Sequence, residues 1–143
     1  MESFSGGTQA TAFNHRAIAA LNRAGFQIVK LNSGTESNPK YSGSMGRDLG
    51  GYIMYSKKYN DMQNPQSNFG AIMVCSEADK SCPVVPGAEA RFSLPYDDPK
   101  FYDNTASEKA KYDERVRQIG REIFFMMDYA KKQLVSRAES VKK

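Results

Sequence analysis

The sequence predicts an α/β protein, and three observations carry that prediction. Short segments of strand character alternate with two helical patterns along the 143 residues, the order that packs helices against a sheet. The run Phe69–Cys75, FGAIMVC, is apolar without alternation, as expected of a central strand covered on both faces. The chain also opens, at Glu2–Ser5, on what reads as the end of a strand before a Gly6-Gly7-Thr8 turn. A parallel, doubly wound domain would already have passed through a first strand and helix by that point.

Taken in order, the elements follow from local chemistry. Asn14 is a candidate N-cap, because its short side chain can accept from the free N–H groups of a first helical turn. Ala17, Ile18 and Leu21 then share a helical face, and Gly25 stands where a left-handed C-terminal cap favours a residue without a Cβ. FQIVKL, residues 26–31, alternates as a strand should. Residues 32–51 are rich in Gly, Ser, Asn and Pro and read as a loop that can hold an irregular hairpin. GYIMYSKKY, residues 51–59, has strand character, with Ile53 and Tyr55 on one face and Tyr52 and Met54 on the other. A second loop, NDMQNPQSN, leads into the apolar run ending at Cys75, and ARFSLPY, residues 90–96, is a further strand. After DDPKFYDNTAS a long helix is predicted from near Ser107. Tyr112, Val116, Ile119, Ile123, Met127, Ala130 and Leu134 recur in it at intervals of three or four, the spacing of one buried face.

Composition narrows the function classes. One domain of 143 residues can remove ~68–70 % of its unfolded surface from water without staples. No stretch resembles a secretory signal, and no apolar run is long enough to span a bilayer, so a cytoplasmic protein without a membrane partner is predicted. Two cysteines are too few for the disulfide framework of a small secreted domain. The net charge of +4 does not predict nucleic-acid binding, because the cations are scattered apart from the end of the last helix, where they complement the helix dipole.

The residues that can do chemistry are few. Cys75 and Cys82 stand seven positions apart in the polar stretch VCSEADKSCP. Fully extended, seven steps separate two Cα atoms by roughly 24 Å, whereas a disulfide needs about 5.5 Å, so the loop must fold back for the two to meet. The spacing alone fits equally a reactive pair or a small core residue and an incidental loop thiol. Zinc is a weaker reading, since a tetrahedral site wants four ligands and the chain offers two cysteines and one histidine. His15, in a first helical turn, is given no role. Met126 and Met127 are read as core filler, not as metal ligands. Asp97 and Asp98 precede Pro99: adjacent carboxylates there are common turn formers, and one of them is also placed to act as a general acid at a strand end.

SGGTQATAFNHRAIAALNRAGF, VCSEADKSCPVVPG and YDDP, followed by the long helix, occur in the order and spacing of the low-molecular-weight protein tyrosine phosphatase superfamily. They resemble in particular its thioredoxin-coupled arsenate reductase branch and related bacterial phosphatase-like proteins. The resemblance spans nearly the whole chain, and its specific part is the C-x6-C-P element joined to D-D-P. It implies a three-layer, open, mostly parallel sheet of the phosphotyrosine phosphatase I type. It further implies that Cys75 is the cysteine that attacks a first one in a disulfide cascade. Cys82 would then be the cysteine that closes a Cys75–Cys82 disulfide for a thioredoxin-like reductant, and Asp98 the general acid that protonates the leaving group. The C-x5-R loop that cradles the oxyanion and supplies the nucleophile in this superfamily is not in the sequence, since neither cysteine is followed by arginine six positions on. The expectation is therefore a single truncated domain, residues 1–143, lacking the first strand and helix and inactive on arsenate or phosphoesters unless that segment is supplied. No cofactor and no metal are predicted. The alternative is a non-catalytic, redox-sensing or partner-binding module that uses the Cys75 and Cys82 thiols.

Overall fold

The computed structural model describes residues 2–31, 35–46, 51–74 and 84–140, the side chains of 137–139 excepted. The first helix, α1, runs from His15 to Arg23, and both of its ends are set by the residues expected. Asn14 is extended, and its Oδ1 accepts from the N–H groups of Arg16 at 2.8 Å and Ala17 at 3.4 Å. At the other end Phe26 N–H returns to the Leu21 carbonyl and Gly25 N–H to that of Asn22, with Gly25 at a φ of 103°. That closure needs a left-handed residue, which glycine supplies without a Cβ clash. Asn22 continues the link by accepting from Ile28 N–H at 2.8 Å, fastening the helix to the strand that follows.

That strand, β1 (Gln27–Lys30), pairs antiparallel with β2 (Tyr41–Ser44), and β2 pairs antiparallel with β3 (Tyr52–Met54). Ile28 faces Gly43 and is buried, while Val29 points to solvent, the alternation expected of a strand with one covered face. The region read as loop from 32 to 51 thus contributes β2, whose sequence, Tyr-Ser-Gly-Ser, carries no apolar alternation to announce it. The edge-to-face contact of Phe13 on Tyr41, 5.8 Å between ring centres, packs the entry to α1 onto this sheet.

A separate parallel pair is formed by β4 (Phe69–Met73) and β5 (Ala88–Ser93), in register at Ile72 with Phe92 and Met73 with Ser93. The molecule is therefore mixed α/β, with one antiparallel and one parallel sheet. Two expectations are corrected here. Glu2–Ser5 is not a strand end; among the described residues the only bridge of the opening segment is a parallel one from Gly7 to Lys58. The run that starts at Phe69 is not a strand covered on both faces either: Met73 is buried, but Phe69, Ala71 and Ile72 are only half-buried and Val74 is exposed. The physical reason is that faces are covered by elements packed on the sheet, and among the described residues no helix packs extensively against β4.

The last helix, α2 (Glu108–Ser140), follows a 3-10 turn over Pro99–Tyr102. It packs on α1 through Arg23, whose guanidinium meets the Asp113 carboxylate at 2.6 Å, and through Arg16, 2.8 Å from Glu108. The predicted face is recovered from Tyr112, which is buried, through Val116, Ile119, Ile123, Met127 and Ala130, which are half-buried; Leu134 stands exposed. Despite its length α2 is too polar to cross a membrane, and no helix among the described residues is long and apolar enough to do so.

Candidate functional site

Parallel pairing brings the carboxyl ends of β4 and β5 to the same edge of their sheet, the place where α/β proteins commonly assemble chemistry. The ladder continues past both strands: Leu94 N–H donates to the Met73 carbonyl and Tyr96 N–H to the Val74 carbonyl, each at 2.8 Å. Val74 immediately precedes Cys75, and Tyr96 immediately precedes Asp97 and Asp98. The candidate thiol segment and the candidate acid thus depart from one hydrogen-bonded point. Cys75 and Cys82 themselves lie outside the described residues, so their approach to each other and to Asp98 is not described.

Asp98 is exposed and extended, and it caps the 3-10 turn. Its Oδ1 accepts from Lys100 N–H at 2.9 Å, and its Oδ2 lies 3.4 Å from the Lys100 ammonium. Pro99 at the first position of the turn fixes the backbone that follows the carboxylate. The turn-forming role read from the sequence is therefore present. The same carboxylate remains open to solvent.

Its neighbour Asp97 points outward and meets the Arg115 guanidinium at 3.5 Å. Arg115 was not singled out by the sequence, because one arginine on a charged helix carries no signal of what lies over it. In the fold it reaches from α2 to the strand end. Its guanidinium lies 6.0 Å from the centre of the Tyr96 ring and donates to Gln118 Oε1, and its Nε is buried without a hydrogen-bond partner. The Tyr96 hydroxyl is likewise buried without an acceptor at bonding geometry. That burial, with the Glu122 carboxylate adding to it, pushes the phenol up to about 12. Tyr96 accordingly stays protonated near neutrality.

Among the described residues no group of three or more His, Cys, Asp or Glu side chains could hold a metal ion. The arrangement that remains is the accessible Asp98 carboxylate, held by Pro99 and Lys100, beside an Asp97 that meets Arg115, at the end of a parallel strand pair. No protein-family model matches the chain, and neither a curated protein nor a solved structure matches it.

Proposed function

We propose that this chain is the body of a low-molecular-weight protein tyrosine phosphatase-like or arsenate reductase-like protein, with the parallel pair β4–β5 belonging to a three-layer, open, mostly parallel sheet. In this reading Cys75 and Cys82 form a thiol–disulfide couple at the end of β4, and Asp98 is the general acid beside them. The observation that carries it is the 2.8 Å bond from Tyr96 N–H to the Val74 carbonyl, which ties the residue before Cys75 to the residue before the Asp97-Asp98 turn. The chemistry is thiol exchange: closing the pair releases two electrons and two protons to an oxidant, and a thioredoxin-like dithiol returns them. The reading draws further support from the polar loop between the two thiols, because the attacking thiolate needs access to the sulfur it reaches.

The 143 residues contain no C-x5-R loop, so an acid is supplied without an oxyanion cradle. On its own the chain is therefore expected to hydrolyse no p-nitrophenyl phosphate and to reduce no arsenate, and turnover by this chain alone would remove the assignment of a separate nucleophile segment. The same absence favours a second use of the couple, as a redox sensor without turnover. Both uses share one test: thiol counting before and after oxidation by diamide, whose azo group takes up the two electrons and protons. Loss of both thiols in a monomer, recovery with thioredoxin, and retention of one titratable thiol in Cys82→Ser are expected. Two thiols that stay titratable, or that are lost only through dimers, would refute the couple.

A further inference from the structure

A cleft of about 780 Å³ opens between the three-stranded sheet and residues 3–14. Phe13 and Leu21 contribute to its walls from the side of α1, and Phe26, Ile28 and Met54 from the side of the sheet. Ile28 faces Gly43 across β1 and β2, and a Cβ at Gly43 would overlap the Met54 sulfur, so Met54 lies over β2 because residue 43 is glycine. Mostly apolar clefts of roughly 300–1,000 Å³, with a few polar groups in fixed places, are the usual form of a small-molecule site. Among the described residues Lys57 is the one charged side chain in this lining.

A second, independent observation concerns the charge at this cleft. Lys57 and Lys40 both bring their ammonium groups to the ring of Tyr55, 5.2 Å and 5.5 Å from its centre, and Tyr55 also lines the cleft. Neither lysine forms an ion pair with a carboxylate among the described residues. Burial, then the Asp61 carboxylate, pushes the Tyr55 phenol up, but Asp61 makes no ion pair with either ammonium group. The backbone that carries Lys57 is held from two sides. Ser56 N–H donates to Asn38 Oδ1 at 3.2 Å and Asn38 Nδ2 to the Ser56 carbonyl at 2.7 Å, while the Lys57 carbonyl accepts from Gly7 N–H at 2.9 Å. Two like charges held at one ring repel each other, and an anion beside them relieves that repulsion.

We propose that the cleft binds an apolar carboxylate of the class of medium-chain fatty acids, with its chain along Leu21, Ile28 and Met54 and its carboxylate at Lys57. Charge sets the head group: the lining holds one cation and no carboxylate among the described residues, and the chain as a whole carries +4, so an anion is drawn to this mouth and a cation is repelled. A neutral ligand would leave Lys57 as it stands. The walls set the rest of the molecule, since an alkyl chain removes them from water and the flexible Met54 side chain can follow its shape. Neither thiol nor Asp98 takes part, so the proposal is independent of the phosphatase-like reading.

The probe is dodecanoate below its micelle concentration, titrated into the full chain by calorimetry, with decanoate, octanoate and dodecylammonium as comparisons. A 1:1 complex is expected, weakened by about fourfold for each methylene removed from the acid. Lys57→Met, checked for native circular dichroism, should bind dodecanoate about tenfold more weakly, the worth of a hydrogen bond to a charged group. Lys58→Met removes the same charge from an exposed neighbour outside the lining and should keep the affinity within about twofold. In NMR spectra the amide signals of Ile28, Gly43 and Met54 should shift as dodecanoate binds. Absence of binding, an equal loss in Lys57→Met and Lys58→Met, dodecylammonium bound as tightly as dodecanoate, or shifts confined to Phe124 and Phe125 on α2 would each overturn the proposal.

Discussion

Tyr112 shows how much one side chain holds in this molecule. It is 5 % exposed, sits where α2 meets α1, and donates from its hydroxyl to Asp103 Oδ1 at 2.9 Å. Asp103 in turn lies 3.5 Å from Arg16, and Arg16 reaches Glu108. Burial, then the hydrogen bond to Asp103, pushes the Tyr112 phenol up to about 12 from its ordinary 10. A folded-state value raised in this way contributes stability that is complete below pH 10 and is lost as pH climbs through 12, because the unfolded phenol ionises first. Tyr96, also at about 12, contributes with the same sign. Tyr112→Phe should therefore cost about 1.5–3 kcal/mol in urea melts at neutral pH, the worth of a hydrogen bond to a charged acceptor. It should also flatten, without abolishing, the fall in stability between pH 10 and pH 12. An alkaline limb as steep as that of the parent would show that Tyr112 ionises freely in the native state. Glu108 acts at the acid end. The Asn104 N–H, then the Arg16 guanidinium, hold its carboxyl below the usual range, so its contribution is present above pH 4.5 and fades as pH falls through the lowered value.

At the scale of elements, α1 is a helix of nine residues with no acidic residue in its first turn, so its start rests on Asn14. Asn14→Ala removes an acceptor from Arg16 N–H and Ala17 N–H and should cost about 1 kcal/mol, read as a lower urea midpoint with an unchanged m-value. A cost near zero would mean that the Arg16 and Arg23 ion pairs to α2 position the helix without the cap. The legibility of each element depended on where its cause lies in the chain. Asn14, Gly25 and the Tyr112–Ala130 stripe were readable because capping and helical periodicity act within a few residues. The strand β2 was readable only as an irregular hairpin within a loop, since Tyr-Ser-Gly-Ser is drawn into the sheet by the tertiary pairing Ile28 with Gly43. The extended character of FGAIMVC was readable, but its neighbours were not: an apolar run states that a strand can be covered and says nothing about which edges are paired. The turn capped by Asp98 was readable from Asp-Asp-Pro, whereas the contacts of Arg115 with Asp97 and Tyr96 are made across the fold and leave no local signal. The Cys75–Cys82 pairing lies outside the described residues.

At the scale of the whole molecule, the described hydrophobic core consists of Ala20, Ile28, Met73 and Tyr112, and no large side chain among the described residues is fully buried. Apolar surface is instead carried outward, most heavily on the second half of α2, where Phe124 and Phe125 are 75 % and 72 % exposed. Contiguous exposed apolar area of this kind favours self-association, because removing it from water gains about 25 cal/mol per Å² however it is covered. Replacing the two rings separates covering from folding. If Phe124 and Phe125 support nothing in the monomer, the double variant Phe124→Glu/Phe125→Lys should alter stability by no more than about 1 kcal/mol, as two surface substitutions do. The same variant should bind less of the dye ANS and sediment as a monomer at concentrations where the parent associates. A loss of about 3 kcal/mol or more, the cost of emptying a packed aromatic site, would instead place both rings in a core and contradict their exposure.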